Sequence, residues 1–163
     1  MIDITARLQR REQAARLSLA QTTTHLNHED EGASCPLILV IEDHAATQNV
    51  LTSVLDLQGY QVVCMANGRE ALEWLERALQ TEQRPGIILL DLFMPVMNGA
   101  DFLANMRASW PGTEPVPPVI LFTVDQGNHD DLACSEVLLK PFHIRDLLAK
   151  IKLLLDTTQV YPY

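Results

Sequence analysis

Five short apolar runs, each followed by a stretch with helical spacing, constrain this chain more than any other feature. Leu37–Ile41 is apolar and branched throughout, as expected of a strand buried on both faces. Ala45–Leu57 follows, with Val50, Leu51, Val54, Leu55 and Leu57 on one helical side and Gly59 as a stop. Residues 60–66 read as a second strand. Asn67 is placed to cap the next helix, with Glu70 three residues on, and Ala71, Leu72, Trp74, Leu75, Ala78 and Leu79 supply its apolar side. Residues 87–90 form a third strand that ends at Asp91, and residues 100–107 a shorter helix with Phe102, Leu103 and Met106. Residues 119–124 read as a fourth strand and 137–139 as a short fifth. Residues 144–155 close the pattern as an amphipathic helix that buries Ile144, Leu147, Leu148, Ile151, Leu154 and Leu155. Such alternation implies an α/β domain whose parallel sheet is covered by helices on both faces.

The remaining segments read differently. Residues 1–35 form an N-terminal extension and linker, partly helical or flexible. Residues 3–20 are rich in helix formers and carry Arg7, Arg10, Arg11 and Arg16. Residues 21–36 hold three threonines, an acidic triplet and Gly32. Residues 36–156 make the body and 157–163 a tail. The chain carries 12 bases against 21 acids, a net charge of −9. That balance argues against direct nucleic-acid binding or general affinity for anionic lipid. Three cysteines at uneven spacing are no disulfide framework and fit a reducing, cytoplasmic location. No apolar run approaches the ~20 residues that a membrane helix needs. His25 and His28 sit in the polar linker and read as solvated rather than metal-binding.

In open parallel sheets, ligands sit at the carboxyl ends of the strands. Glu42 and Asp43 follow the first strand, and Asp91 follows the third. Thr123 lies near the end of the fourth, and Lys140 and then Pro141 follow the fifth. If the runs belong to one sheet, these residues converge on one edge. Three close carboxylates repel, and a hard cation relieves the repulsion. Oxygen ligands at an open polar edge suit Mg²⁺. A carboxylate beside Mg²⁺, a lysine and a threonine hydroxyl has the parts for phosphoryl transfer: a nucleophile, a neutralising metal and donors for the phosphoryl oxygens. Glu42 and Asp43 would also suit a helix start. His44 reads as a surface residue, and Cys64 and Cys134 as small apolar fillers.

The segments Leu37-Ile-Leu-Val-Ile-Glu-Asp43, Asp91-Leu-Phe-Met-Pro-Val-Met-Asn-Gly99, Thr123 and Lys140-Pro-Phe142 resemble the receiver domain of two-component response regulators. The resemblance covers residues 36–156. It implies a flavodoxin-like doubly wound (βα)5 fold with a five-stranded parallel sheet in the order 2-1-3-4-5. It implies Asp91 as phosphoacceptor, served by a sensor histidine kinase or a histidine phosphotransfer protein. Asp43, Asp91 and the backbone carbonyl of Phe93 would bind Mg²⁺, with Glu42 acting through a metal-bound water. Lys140 and Thr123 would meet the phosphoryl oxygens, and the peptide before Pro141 would be cis. The protein would be a phosphoryl acceptor and not an enzyme, with slow acyl-phosphate hydrolysis at most.

Three positions and one spacing depart from the family pattern. Glu42 replaces the commoner Asp. Val137 stands where the family places Tyr or Phe, the rotamer partner of the threonine. Only 16 residues separate Thr123 from Lys140, with Gly127 among them, so the fourth helix is expected to be shortened or irregular. Phe93 has a large apolar side chain where the family tunes acyl-phosphate hydrolysis, which implies a slow loss of phosphate. The leading expectation is a stand-alone receiver with output through protein–protein contact to an unknown partner, since the chain ends at Tyr163. Homodimerisation stays open. A second reading is an interaction module of receiver fold whose phospho-switch is blunted. A haloacid-dehalogenase-type phosphatase needs a second Asp where Phe93 stands, and a flavodoxin needs a Ser/Thr/Gly-rich loop where residues 42–46 stand.

Overall fold

The computed structural model describes residues 35–159, apart from 82 and 133. The N-terminal arm, the linker histidines and residues 160–163 of the tail lie outside the described residues. The elements run β1 (Leu37–Ile41), α1 (Ala45–Leu57), β2 (Gln61–Met65), α2 (Gly68–Gln80), β3 (Ile87–Asp91) and α3 (Gly99–Ser109). They continue with β4 (Val119–Thr123), a 3-10 turn (Asp130–Leu132), β5 (Glu136–Leu139) and α4 (Ile144–Gln159). All five strands are parallel, in the order β2-β1-β3-β4-β5. The expected topology holds, and the last helix runs beyond residue 156, where the sequence places the end of the body.

The unbroken apolar runs become legible once their two faces are separated. Successive strand residues point to opposite sides of a sheet. Leu39, Ile41, Ile88, Leu90 and Leu121 pack with Ala71 and Leu75 of α2 and with Phe102, Leu103 and Met106 of α3. Ile38, Val40, Ile87, Leu89, Ile120 and Phe122 pack with Leu51 and Leu55 of α1 and with Leu147 and Ile151 of α4. Every residue of β3 and β4 is buried. Polar groups can therefore gather only at the strand ends.

Helix α1 buries less than its sequence suggests. Leu51 and Leu55 face the sheet, whereas Val50 is 54% and Leu57 83% exposed. Each residue advances the helix by about 100°, so neighbours one or two places from the buried pair turn away from it. The cap at Asn67 forms as expected, with its side chain accepting the N–H of Glu70 at 3.0 Å. A second cap, Asn98 accepting the N–H of Asp101 at 2.8 Å, starts α3.

Between β4 and β5 the described residues hold one 3-10 turn and no α-helix, as the short spacing implies. Side chains here bond the backbone that a helix would use. Asp125 Oδ1 accepts the N–H of Gly127 at 2.9 Å, and Asn128 Oδ1 accepts that of Asp130 at 2.9 Å. Such local bonds favour turns over helix.

The loop from β3 to α3 folds back on the strand it leaves. Gly99 N–H donates to Leu92 O at 2.9 Å, and a Cβ on Gly99 would lie 2.6 Å from Asp91 O. Only glycine permits that approach. The same loop closes a three-residue turn, with Met97 N–H bonded to Pro95 O at 2.8 Å and Val96 at φ 69°. A β-branched residue is strained there, by about 1–2 kcal/mol. Val96 is also 72% exposed, so little packing is lost on replacing it. The Val96→Asn variant is expected to be more stable by about 1 kcal/mol, because asparagine takes up positive φ more readily than a β-branched residue does. Urea unfolding checks it, and an unmoved or lower midpoint refutes the strain.

Candidate functional site

The strand register brings the polar residues at the strand ends together. Ile41 lies opposite Leu90, Asp91 opposite Phe122, and Thr123 opposite Leu139. Glu42, Asp91, Thr123 and Lys140 thus line one carboxyl edge, as expected. One carboxylate oxygen from each of Glu42, Asp43 and Asp91 falls within 4.8 Å of the others. Glu42 and Asp91 are buried, while Asp43 is exposed.

Lys140 ties this cluster across the sheet. Its Nζ lies 2.9 Å from Glu42 Oε2 and 2.9 Å from Asp91 Oδ2. The other carboxylate oxygens take backbone donors. Glu42 Oε1 accepts the N–H of His44 at 3.2 Å, and Asp91 Oδ1 that of Phe93 at 3.5 Å. Lys140 N–H bonds Thr123 O at 2.8 Å, which anchors the end of β5 beside β4. The Lys140–Pro141 peptide is cis, as the resemblance implies.

Burial pushes the Lys140 ammonium down, but its hydrogen bonds to Glu42 and Asp91 outweigh this and hold its pKa above the usual lysine value. The resulting stabilisation is present in full below the ordinary lysine pKa. It is lost as pH rises through the raised value.

Thr123 is fully buried, and its Oγ1 accepts the N–H of Asp125 at 3.0 Å. Val137 packs against the cluster that holds Leu90 and Leu121, on the sheet face that β4 shares with Thr123. Phe93 stands just beyond β3 with its side chain 56% exposed. His44 is exposed, whereas Cys64 and Cys134 are partly buried against the two clusters.

Two features escaped the sequence. One is the direct Lys140–Glu42 ion pair, which the longer arm of Glu42 allows. The other is Gln48, whose Nε2 donates to Glu42 O at 2.6 Å and also reaches Met65 O at 3.3 Å. Its only signal is its place early in α1, behind the acidic pair.

The family model for the response regulator receiver domain matches residues 38–152. The SphR alkaline phosphatase synthesis transcriptional regulatory protein of Synechococcus elongatus is 29% identical over 134 residues, covering 77% of this chain and 51% of that protein. A CheY-like receiver domain protein from Methanospirillum hungatei superposes with a TM-score of 0.65 at 26% identity, covering 77% of this chain and 98% of its own. The receiver domain of sensor histidine kinase PA1611 from Pseudomonas aeruginosa superposes with a TM-score of 0.65 at 29% identity, covering 76% and 99%. That structure carries a magnesium ion coordinated in its active-site cleft. The chain belongs to the response regulator receiver family and carries a receiver domain of two-component signalling. It spans about half the length of the curated relatives it matches. Among the described residues, no helix is long and apolar enough to cross a membrane.

Lys140→Met leaves two buried carboxylates facing each other without a cation. The expected cost is about 3–5 kcal/mol at neutral pH. The parent's loss of stability in the alkaline window of the raised lysine pKa should be blunted in the variant. Millimolar Mg²⁺ should raise the variant's unfolding midpoint more than the parent's. Equal midpoints for variant and parent without Mg²⁺ would show that the pair of bonds carries no stability.

Proposed function

We propose that Asp91 accepts a phosphoryl group from a phosphohistidine, on a sensor histidine kinase or a histidine phosphotransfer protein. The observation that carries this reading is the convergence of three carboxylates on one edge with Lys140 bound to two of them. An Asp91 carboxylate oxygen attacks phosphorus, and an acyl phosphate forms as the P–N bond breaks. The electron pair of that bond stays on the imidazole nitrogen, which takes up a proton. The donor set suits a small hard cation, being all oxygen and partly open to water. Glu42, Asp43 and Asp91 would hold Mg²⁺ together with the backbone carbonyl of Phe93, Glu42 acting through a water. The ion would neutralise charge on the phosphoryl oxygens.

Lys140 would exchange its bond to Asp91 for one to a phosphoryl oxygen. Thr123 lies at the same edge and would turn its hydroxyl from Asp125 towards that group. The chain then acts as an acceptor, not as a catalyst on a second substrate. Its setting would be the cytoplasm, where the free thiols of Cys35, Cys64 and Cys134 stay reduced. Output passes through protein–protein contact. A second reading keeps the fold and blunts the switch. It is favoured by Val137, an aliphatic residue on the Thr123 face that lacks the two-state rotamer of an aromatic ring.

Incubation with Mg²⁺ and acetyl phosphate should add one phosphoryl group to the parent and none to Asp91→Asn, read by intact mass. Equal mass for the two proteins ends the acceptor reading. If the parent is phosphorylated but its amide shifts stay fixed beyond the site, the blunted-switch reading takes over. Phe93, exposed beside Asp91, is expected to hinder the attacking water. The phospho-lifetime of Phe93→Asn should therefore be several-fold shorter than the parent's, and an unchanged lifetime removes that role.

A further inference from the structure

The turn from β1 into α1 carries both Glu42 and Asp43, and one side chain outside the acidic cluster ties it down. Gln48 is half-buried early in α1. Its Nε2 donates to Glu42 O at 2.6 Å and reaches Met65 O at 3.3 Å. A primary amide nitrogen has two hydrogens, so two backbone carbonyls match its whole donor capacity. Those carbonyls belong to the carboxyl ends of β1 and β2. Met65 O also accepts the N–H of Glu42 at 3.1 Å, and the backbone N–H of Gln48 goes to His44 O at 3.0 Å.

The peptide bond is planar, so fixing the Glu42 carbonyl fixes the plane that leads to Asp43. With that plane held, rotation about the Asp43 N–Cα bond is the one backbone freedom left between the turn and its side chain. Glu42 and Asp91 are each held by Lys140, whereas among the described residues no ion pair holds Asp43. Its place within 4.8 Å of the other two carboxylates therefore rests on the backbone. We propose that Gln48 is a positioning residue for the cation site, holding the Glu42–Asp43 peptide so that the Asp43 carboxylate faces Asp91. This rests on the Mg²⁺ reading above and extends it to a residue that touches neither ion nor phosphate.

The test uses the full chain as parent, Gln48→Leu and Gln48→Glu, titrated with Mg²⁺ alone by calorimetry and amide NMR. Urea midpoints are measured beside them. Both variants should bind Mg²⁺ roughly tenfold more weakly, the low end of what losing a supporting partner of a metal ligand costs. The glutamate variant separates geometry from charge. Its added negative charge alone would tighten cation binding, whereas its carboxylate repels the carbonyls that Gln48 holds. Unchanged affinity with a lowered midpoint would make Gln48 a merely structural clamp and overturn the proposal, as would tighter binding by Gln48→Glu. If amide dispersion shows Gln48→Leu to be unfolded, the glutamate variant decides. Absence of Mg²⁺ binding by the parent overturns the cation reading itself, and the role of Gln48 falls with it.

Discussion

A buried carboxylate without a counter-charge costs several kcal/mol, and this edge holds two, Glu42 and Asp91, at the ends of adjacent strands. The Lys140 ammonium, shared between them at 2.9 Å each, is what the arrangement depends on. It reaches them from beyond β5 and so spans β4. The bond from Lys140 N–H to Thr123 O holds the backbone from which it reaches. One ammonium does not balance three carboxylates. The site thus keeps a surplus of negative charge, which suits it to a cation.

Much of this was readable from residues 36–156. A strand buried on both faces leaves a continuous apolar run, and the first polar residue after it marks the sheet edge. That rule located Glu42, Asp43, Asp91 and Lys140, and the structure brings them together. The same continuity hid which strand residue belongs to which face, because a fully apolar run shows no alternation. Helix α1 misled for a related reason. Val50 and Leu57 are apolar, but a narrow contact with the sheet uses only the Leu51–Leu55 stripe.

What stayed illegible is where a side chain bonds distant main chain. The reach of Gln48 to Met65 O depends on β2 lying beside β1 in register, with Ile41 opposite Met65. The positive φ of Val96 has no signal in the residue itself, and Gly99 three residues on meets the Asp91 carbonyl only once the loop has folded back. The cap at Asn98 could have been read from Asp101 three residues on, in the way that Asn67 was read from Glu70.

The segment after β4 shows how the site could speak to the surface without an aromatic relay. Thr123 Oγ1 holds the N–H of Asp125, whose side chain holds Gly127 and whose carbonyl lies 3.0 Å from His129 Nε2. The backbone that would otherwise propagate a helix is bent instead into turns hung from the threonine. If the hydroxyl is drawn towards a phosphoryl group, its bond to Asp125 weakens, and the first link of that chain loosens. Val137 packs against the Leu90–Leu121 cluster and makes no part of that chain of bonds. On the acceptor reading proposed above, the Thr123–Asp125 bond would offer a route to the loop that does not pass through Val137.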